Sequence, residues 1–308
     1  MLIERDLSKK LQKATRGFPV ITITGPRQSG KTTLARMNFP EYEYVNLEDP
    51  STRDYAISDP KDFIKNYSTK VIIDEFQRAP ELTSFLQGHI DEVNEPGMYV
   101  LTGSNQFEYL SSVSQSLAGR TIILKLLPFS FNEIYARETS LLTLDEIIVK
   151  GWYPRIFDKN LDHNEFYPAY FETYIQRDVR NIVNVRDLLD FQKFVKLCAG
   201  RTGQILNLSN LAVEIGVSHN TIKGWISILQ ASFIIELIPS YHRNFSKRII
   251  KRPKLYFLDT GLACNLLGIN DSIHLQSHPL RGELFETYVL SELFKLKYNH
   301  RKLNSLYY

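Results

Sequence analysis

The chain has 308 residues, of which 43% are hydrophobic and 23% are charged, and its formal net charge is +3. This composition lies near the average of globular proteins and excludes disordered and fibrous classes, while the weak charge does not by itself indicate a nucleic-acid partner. The length is enough for two domains, with a partial third.

The sequence also predicts where the protein resides. No apolar run approaches the ~18 residues of a membrane span, and the first six residues lack the apolar stretch of a signal peptide. Cys198 and Cys264 lie in apolar surroundings without a Cys-x-x-Cys pair. They are interpreted as buried free thiols of a reducing compartment. We therefore expect a cytoplasmic protein without a membrane partner.

The first predicted elements are an amphipathic helix over residues 5–16, a β-branched strand over residues 20–24 and a helix from residue 33. A complete G-x-x-x-x-G-K-T motif lies between the strand and the second helix. Its glycines let backbone N–H groups approach phosphate oxygens, and the helix N-terminus adds partial positive charge. The motif predicts a triphosphate site formed by Gly25, Pro26, Arg27, Gln28, Ser29, Gly30, Lys31, Thr32 and Thr33.

The catalytic side chains are predicted from this motif and from a second stretch. Lys31 is expected to reach the β- and γ-phosphates, and the Thr32 hydroxyl to ligate Mg²⁺. After predicted strands over residues 42–47 and 71–73 come two carboxylates, Asp74 and Glu75. Asp74 would hold Mg²⁺, directly or through water, and Glu75 would act as the general base on the attacking water. An acidic cap at a strand end is the competing interpretation.

Two further positions are candidates with open alternatives. A helix over residues 81–93 and a strand over 98–102 precede a Gly-Ser-Asn cluster, so Ser104 or Asn105 could position the water, unless the cluster is simply a turn. Arg120 precedes a strand over residues 121–124. It could neutralise transition-state charge on its own or a neighbouring chain's nucleotide, or it could be a solvated surface arginine.

The alternation of strands and helices predicts a parallel sheet with helices on both faces. The pattern changes at about residue 128, where helices are predicted over residues 129–137, 145–150 and 164–181. These helices are interpreted as a small lid after the α/β core, from which Arg155 could report the nucleotide state.

Several motifs together resemble one family. They are residues 25–32, the pair Asp74 and Glu75, and residues 101–105, 117–120 and 127–130. In this order they resemble prokaryotic AAA-type ATPases that carry a DUF4143 C-terminal region, over nearly the whole chain. The resemblance implies an AAA+-like core in which the P-loop strand is flanked by the acidic and sensor strands. It implies no substrate.

A second motif occupies the C-terminal third. Residues 208–229 have the spacing of a helix-turn-helix, in which Gly216 permits the turn and Ser218 begins the second helix. The polar residues that this helix would offer to a DNA groove are Ser218, His219, Asn220, Thr221 and Lys223.

Apolar stretches over residues 233–237 and 255–258 would form wing strands beside this motif. The basic run over residues 243–252 lies between them and could contact phosphates. Because winged helices bind proteins as well as DNA, both kinds of partner stay open.

The last segment, residues 280–293, is typical of an amphipathic helix. In the resembled family it would begin a region similar to PD-(D/E)XK nucleases, with Glu283 or Glu286 on the first helix. The chain ends at Tyr308 before the Asp and Glu-x-Lys that such a nuclease needs. Nuclease activity is therefore disfavoured, and a frayed chain end is expected.

The sequence thus predicts an α/β protein. Its parts are an AAA+-like P-loop core (1–127), a helical lid or linker (128–185), a winged helix-turn-helix (186–262) and the start of a truncated nuclease-like region (263–308). The predicted function is ATP hydrolysis with Mg²⁺, coupled to a DNA- or protein-binding module. ATP is preferred over GTP only by the resemblance.

Two alternatives to this function stay open. One is a nucleotide-gated DNA-binding switch with negligible turnover, and the other is a protein-binding adaptor or regulator. A homo-oligomer is expected if Arg120 acts in trans.

Overall fold

The computed structural model describes residues 3–104, 116–135, 142–175, 188–241, 252–300 and 305–308. The chain divides into two compact units, one built on Glu4–Leu127 and the other on Pro128–Lys297. Four sequence predictions concern residues outside the described ranges: the role of Asn105, nearly all of the basic run over 243–252, and the ends of the helices over 129–137 and 164–181.

A five-stranded parallel sheet forms the centre of the first unit, in the order β2-β3-β4-β1-β5. Its strands are β1 (Val20–Gly25), β2 (Glu43–Asn46), β3 (Val71–Asp74), β4 (Tyr99–Ser104) and β5 (Thr121–Lys125). The helices are α1 (Ser8–Ala14), α2 (Lys31–Asn38), α3 (Pro50–Ser58), α4 (Pro60–Asn66) and α5 (Leu82–Val93), with a 3₁₀ turn at Phe76–Arg78. The predicted α/β class with a parallel sheet is confirmed.

Helices cover both faces of this sheet. Successive side chains of a strand point to opposite faces, so Val20 and Ile21 of β1 belong to different hydrophobic clusters. Val20 shares its cluster with Leu86 of α5, whereas Ile21 shares its cluster with Leu11 of α1 and Leu34 of α2. Coverage on both faces agrees with the burial of every residue of the three central strands, β1, β3 and β4.

The strand order corrects one expectation. The P-loop strand β1 lies between β4 and β5, and the acidic strand β3 pairs with β4 instead of β1. The implied arrangement, with β1 flanked by the acidic strand, is therefore wrong. The sheet nevertheless places β3, β4 and β1 side by side, so their carboxyl ends are neighbours.

The helix α3 is absent from the sequence prediction and begins at Pro50. Proline is compatible with the first helical turn because its missing N–H needs no partner there. The Asp49 carboxylate accepts a hydrogen bond from the Thr52 N–H (2.9 Å) and caps the helix.

The second unit is mainly helical with a three-stranded antiparallel sheet, order β6-β8-β7. Its strands are β6 (Gln204–Ile205), β7 (Ile235–Ile238) and β8 (Lys254–Phe257). The helices are α6 (Phe131–Tyr135), α7 (Leu144–Lys150), α8 (Pro154–Asp158), α9 (His163–Tyr170), α10 (Leu188–Ala199), α11 (Leu208–Ile215), α12 (His219–Ala231), α13 (Thr260–Leu266), α14 (Ser272–Ser277) and α15 (Arg281–His300). A π-helical turn over Phe171–Ile175 continues α9.

Three smaller expectations can be compared with the structure. Cys198 and Cys264 are buried and free, as predicted, and burial raises the pKa of both thiols far above the ordinary value. The expected fraying is wrong for the last residue, because the Tyr308 N–H donates to Pro239 O (3.2 Å) and the Tyr241 N–H donates to Tyr308 O (2.9 Å). None of the helices in the described part of the chain is long and apolar enough to cross a membrane.

Candidate functional site

The candidate site lies at the carboxyl edge of the parallel sheet. Gly25 ends β1, Asp74 ends β3 and Ser104 ends β4, and Gly25 is the register partner of Ser104. Open α/β sheets bind ligands outside the carboxyl ends of their strands. The phosphate-loop motif and the predicted acidic pair therefore meet at the edge where such a ligand would sit.

The loop between β1 and α2 requires its glycines. A Cβ built on Gly25 would lie 2.1 Å from the Leu126 carbonyl oxygen, so even alanine cannot fit there without moving the backbone. Gly30 is the N-cap of α2 and has a φ of 93°, a left-handed conformation that favours glycine. These glycines let the loop turn tightly, and turns of this kind present backbone N–H groups to anions.

Buried polar atoms in and before this loop have no hydrogen-bond partner among the described residues. They are Thr24 Oγ1, Gln28 Oε1 and Ser29 Oγ. Buried polar groups in folded proteins are normally paired with protein, water or ligand. A phosphate group could accept from the Thr24 and Ser29 hydroxyls, so these atoms fit an anion in the loop.

Arg5 supports the loop from outside the motif. Its buried guanidinium donates from Nη1 to Ser29 O (2.8 Å) and from Nη2 to Leu127 O (2.7 Å). It thereby joins the loop to the segment after β5. The sequence prediction missed this residue and placed it inside a helix, because nothing in the local pattern around residue 5 announces a contact with residue 29.

Lys31 is buried at the start of α2 and points back into the loop. Its ammonium donates to Gly25 O (3.2 Å) and Pro26 O (2.8 Å). A buried ammonium is strongly unfavourable unless acceptors or an anion surround it. The charge is therefore held where a triphosphate would bring negative charge.

Asp74 is the centre of a hydroxyl cluster. Its carboxylate accepts from Thr32 Oγ1 (3.0 and 2.9 Å), from the Tyr44 hydroxyl (2.8 Å) and from Thr102 Oγ1. The carboxylate and the Thr32 hydroxyl are hard oxygen ligands of the kind that Mg²⁺ prefers. The predicted metal pair, Thr32 and Asp74, is thus brought together in space.

Tyr44 is a neighbour of Asp74 that the sequence prediction did not identify. It lies on β2, and the Arg36 guanidinium stacks 4.8 Å from the centre of its ring. Burial, and then the hydrogen bond to Asp74, raise the pKa of the Tyr44 phenol far above its ordinary value. The phenol therefore stays protonated and continues to donate to Asp74.

Glu75 follows Asp74 in a left-handed conformation, with a φ of 54°. Non-glycine residues seldom adopt this conformation, and it is concentrated at functional sites. The Gln77 side-chain amide donates to Glu75 Oε2 and to Ser104 Oγ (3.2 Å). Gln77, also missed by the sequence prediction, thus links the predicted base to Ser104, the described member of the Ser104/Asn105 alternative.

Arg120 lies at the opposite edge of the sheet. It immediately precedes β5, and its carbonyl accepts from Val20 N–H (3.1 Å) at the amino end of β1. Its guanidinium forms a two-bonded ion pair with Asp91 of α5 (2.5 and 2.7 Å). The interpretation in which Arg120 contacts the nucleotide of its own chain is therefore wrong. Its action on the nucleotide of a neighbouring chain stays a prediction. Arg155 is exposed on α8, and its predicted role is likewise untested.

The helix-turn-helix candidates occupy the start of α12. Ser218 Oγ accepts from the Thr221 N–H (3.0 Å) and pairs with the Thr221 hydroxyl (2.8 Å), so both side chains are engaged in capping the helix. His219, Asn220 and Lys223 are exposed.

The carboxylates of the predicted nuclease helix have other contacts. Glu286 Oε1 accepts from Lys254 Nζ (3.0 Å) and from the Tyr256 hydroxyl (2.6 Å), and Glu283 packs beside Gly203. Across the described ranges, no group of three or more His, Cys, Asp or Glu side chains is placed to hold a metal ion. Among the described residues after β8, the helices are α13 to α15.

Comparison with protein families divides the chain into two matching parts. Residues 17–135 match the family described as AAA domain (AAA_14), and residues 141–273 match a domain of unknown function, DUF8612. The C-terminal match is thus to DUF8612, whereas the sequence resemblance pointed to DUF4143.

Similar proteins occur in several bacteria. The uncharacterized proteins Mb2031c of Mycobacterium bovis and Rv2008c of Mycobacterium tuberculosis are each 30% identical over 304 residues, which cover 96% of this chain and 67% of theirs. An uncharacterized protein of Haemophilus influenzae is 22% identical over 285 residues, covering 80% of this chain and 68% of its own.

Among solved structures, the Walker-type ATPase PABY2304 of Pyrococcus abyssi is similar in fold. The TM-score is 0.56 at 13% sequence identity, and the match covers 86% of this chain and 96% of that one. At this identity the likeness concerns the fold alone.

Proposed function

The chain belongs to the family of the mycobacterial proteins Mb2031c and Rv2008c and carries an AAA-type P-loop domain, and from this premise we propose that it binds ATP with Mg²⁺ and hydrolyses it. One observation carries the proposal: Lys31, Thr32 and Asp74 meet at the carboxyl edge of the sheet, through the Thr32–Asp74 hydrogen bonds and the Lys31 contacts inside the loop. A turn that merely connected a strand to a helix would not need a buried ammonium.

The residues present fit both ATP and Mg²⁺. The unpaired buried hydroxyls of Thr24 and Ser29 suit phosphate oxygens, and the left-handed backbone of Gly30 allows the tight turn before α2. Thr32 and Asp74 supply oxygen ligands for Mg²⁺, which when bound would neutralise phosphate charge.

The proposed catalytic roles follow from position. Lys31 holds positive charge against the β- and γ-phosphates, and the backbone N–H groups of residues 27–32 orient them. Glu75 takes the proton from the attacking water at a carboxylate oxygen. Gln77 keeps Glu75 oriented, because it donates to Glu75 and to Ser104 at the same time.

Mg²⁺-dependent ATP hydrolysis by the whole chain tests this function. Lys31→Ala should lose ATP binding together with hydrolysis. Glu75→Gln should keep ATP binding and lose hydrolysis by about 100-fold or more, as expected when a general base is removed. Matched controls are Lys9→Ala and Glu92→Gln, which change exposed residues of the same unit, and both should behave like the native chain.

A different outcome would favour another class of function. If ATP binds but no hydrolysis occurs with Mg²⁺, either alone or with duplex or single-stranded DNA, the ATPase proposal is wrong. A nucleotide-gated switch or an adaptor would then account better for the site.

A second proposal concerns the second unit, which we propose to contain a winged helix that binds duplex DNA. Helix α10, β6, the pair α11 and α12, and the antiparallel strands β7 and β8 follow one another in the order of such a domain. Residues 218–231 contain no Asp or Glu, and the exposed start of α12 carries His219, Asn220 and Lys223. This surface is better matched to a polyanion than to a basic protein.

Fluorescence anisotropy with labelled duplex DNA at several salt concentrations tests the proposed DNA binding. Lys223→Glu should weaken binding and lower the salt slope by about 1, the loss of one phosphate contact. Lys196→Glu, an exposed lysine on α10, is the matched control and should have a smaller effect. Equal effects of both changes, or no binding, would favour a protein partner for this module.

A further inference from the structure

A cavity of about 310 Å³ lies within the second unit, away from the residues assigned to ATP. Four aromatic side chains, from α6, α15 and the segment after α7, line it together with aliphatic ones from α7: Phe131, Tyr135, Trp152, Tyr288, Leu144 and Ile147. Small-molecule sites typically have volumes of ~300–1,000 Å³ and mostly apolar walls. The cavity falls at the lower end of that range.

Trp152 is the fixed wall of this cavity. Its ring stacks on Phe157 (centroids 5.8 Å apart, 14° between planes) and meets Phe131 edge to face (6.3 Å, 83°). Its backbone N–H donates to Asp259 Oδ2 (2.9 Å). Trp152 is therefore held in place by ring contacts of its indole and by a hydrogen bond of its backbone.

The indole N–H of Trp152 has no acceptor. The residue is 3% exposed, and its Nε1 is buried without a hydrogen-bond partner among the described residues. Buried Trp N–H groups usually find an acceptor. A ligand with one acceptor atom in the cavity would satisfy the donor.

Two charged side chains beside the cavity wall, Lys295 and Glu292, neutralise each other. Lys295 Nζ lies 5.6 Å from the centre of the Trp152 ring and 2.7 Å from Glu292 Oε1, and the other Glu292 oxygen accepts from the Phe131 N–H (2.9 Å). Both ions are thus already compensated within the protein. A charged ligand would find no counter-ion among these groups, so a neutral ligand is favoured.

We propose that this cavity binds a neutral, largely apolar small molecule of about two rings, which accepts one hydrogen bond from Trp152 Nε1. The volume is about twice that of the ~150 Å³ apolar protein cavity that takes benzene. Tyr135 (57% exposed) and Leu144 (40% exposed) connect the lining to solvent and mark the entrance. The proposal does not depend on ATP hydrolysis.

Isothermal titration calorimetry with two matched probes tests the proposal on the whole chain. Indanone has a bicyclic apolar body and one carbonyl acceptor, and indane has the same ring skeleton without the acceptor. Indanone should bind, and indane should bind about fivefold more weakly, which corresponds to one neutral hydrogen bond. Failure of both probes to bind, or equal affinity for the two, would overturn the proposal.

Two variants locate the binding. Leu144→Trp fills the entrance from an exposed position and should abolish binding of indanone, whereas Leu189→Trp, at an exposed leucine of α10 in the same unit, should leave it unchanged. Trp152→Phe removes the donor but keeps an aromatic wall, so it should bind both probes with equal affinity. Binding that survives Leu144→Trp, or a preference for indanone that survives Trp152→Phe, contradicts the assignment. Thermal melting of each variant verifies that it is folded.

Discussion

Arg5 shows how a single residue outside a motif can determine the shape of that motif. Its guanidinium bonds to the carbonyl oxygens of Ser29 and Leu127, which would otherwise be buried acceptors at a tight turn. Hydrogen bonds from a charged donor are stronger than neutral ones, and the planar fork of arginine can reach two carbonyls at once. The loop is therefore preorganised before any nucleotide arrives.

We predict that Arg5→Ala lowers both ATP affinity and stability. Removing the two bonds leaves buried acceptors unpaired, at a cost of about 1–3 kcal/mol, and the loosened loop must be ordered again on binding. Thermal melting and ATP titration measure the two effects. Arg16→Ala, at an exposed arginine after α1, is the control and should change neither. Unchanged ATP affinity in Arg5→Ala would show that the loop keeps its shape without this residue.

The start of α13 shows how one helix is capped and packed against another. The Asp259 carboxylate caps this helix by accepting from the Leu262 N–H (3.0 Å), and it also accepts from the Tyr167 hydroxyl (2.7 Å). Burial, and then the Asp259 charge, raise the pKa of the Tyr167 phenol well above its ordinary value, so the phenol continues to donate. Gly261 lies directly against the Tyr167 ring. The helix can approach α9 this closely because position 261 has no side chain.

We predict that Gly261→Ala is destabilising. The added Cβ would lie 2.3 Å from the Tyr167 hydroxyl oxygen and 2.5 Å from its ring carbons, and such overpacking costs about 1–3 kcal/mol. Gly282→Ala in α15 is the matched control, since a Cβ there meets no atom within 4 Å. It should be neutral or slightly stabilising, by up to ~1 kcal/mol, because alanine favours helices. Urea unfolding of both variants measures the difference, and similar midpoints would contradict the prediction.

At the scale of the whole molecule, the position of Arg120 concerns assembly. The ion pair with Asp91 holds Arg120 at the amino edge of the sheet, opposite the phosphate loop. Only the nucleotide of another copy could come within its reach. An arginine supplied in trans neutralises transition-state charge only when chains associate.

If Arg120 acts in trans, we expect the ATPase rate per chain to rise with protein concentration. Arg120→Ala should remove this rise, whereas Asp91→Asn should keep it, because that change weakens the ion pair but leaves the guanidinium in place. Steady-state rates over a range of chain concentrations measure the effect. A constant rate per chain, together with native activity of Arg120→Ala, would show that Arg120 only pairs with Asp91.

The sequence by itself determined the local parts of this protein. The glycine, lysine and hydroxyl spacing over residues 25–32, the buried strand before Asp74 and the apolar periodicity over residues 208–229 each depend on neighbours within one turn or one strand. Such signals are visible in sequence because the physics that causes them is short-ranged. The missed helix α3 is the exception, since a proline such as Pro50 can either end a strand or begin a helix.

Only the tertiary structure decided which distant residues meet. The register of parallel strands placed Ser104 beside Gly25 and inserted β4 between β1 and β3, and it placed Arg120 at the edge opposite the loop. Arg5, Tyr44, Gln77 and the cavity around Trp152 acquire their neighbours only when separate elements pack. Because pairing and packing join residues tens of positions apart, no local pattern in the chain specifies these contacts.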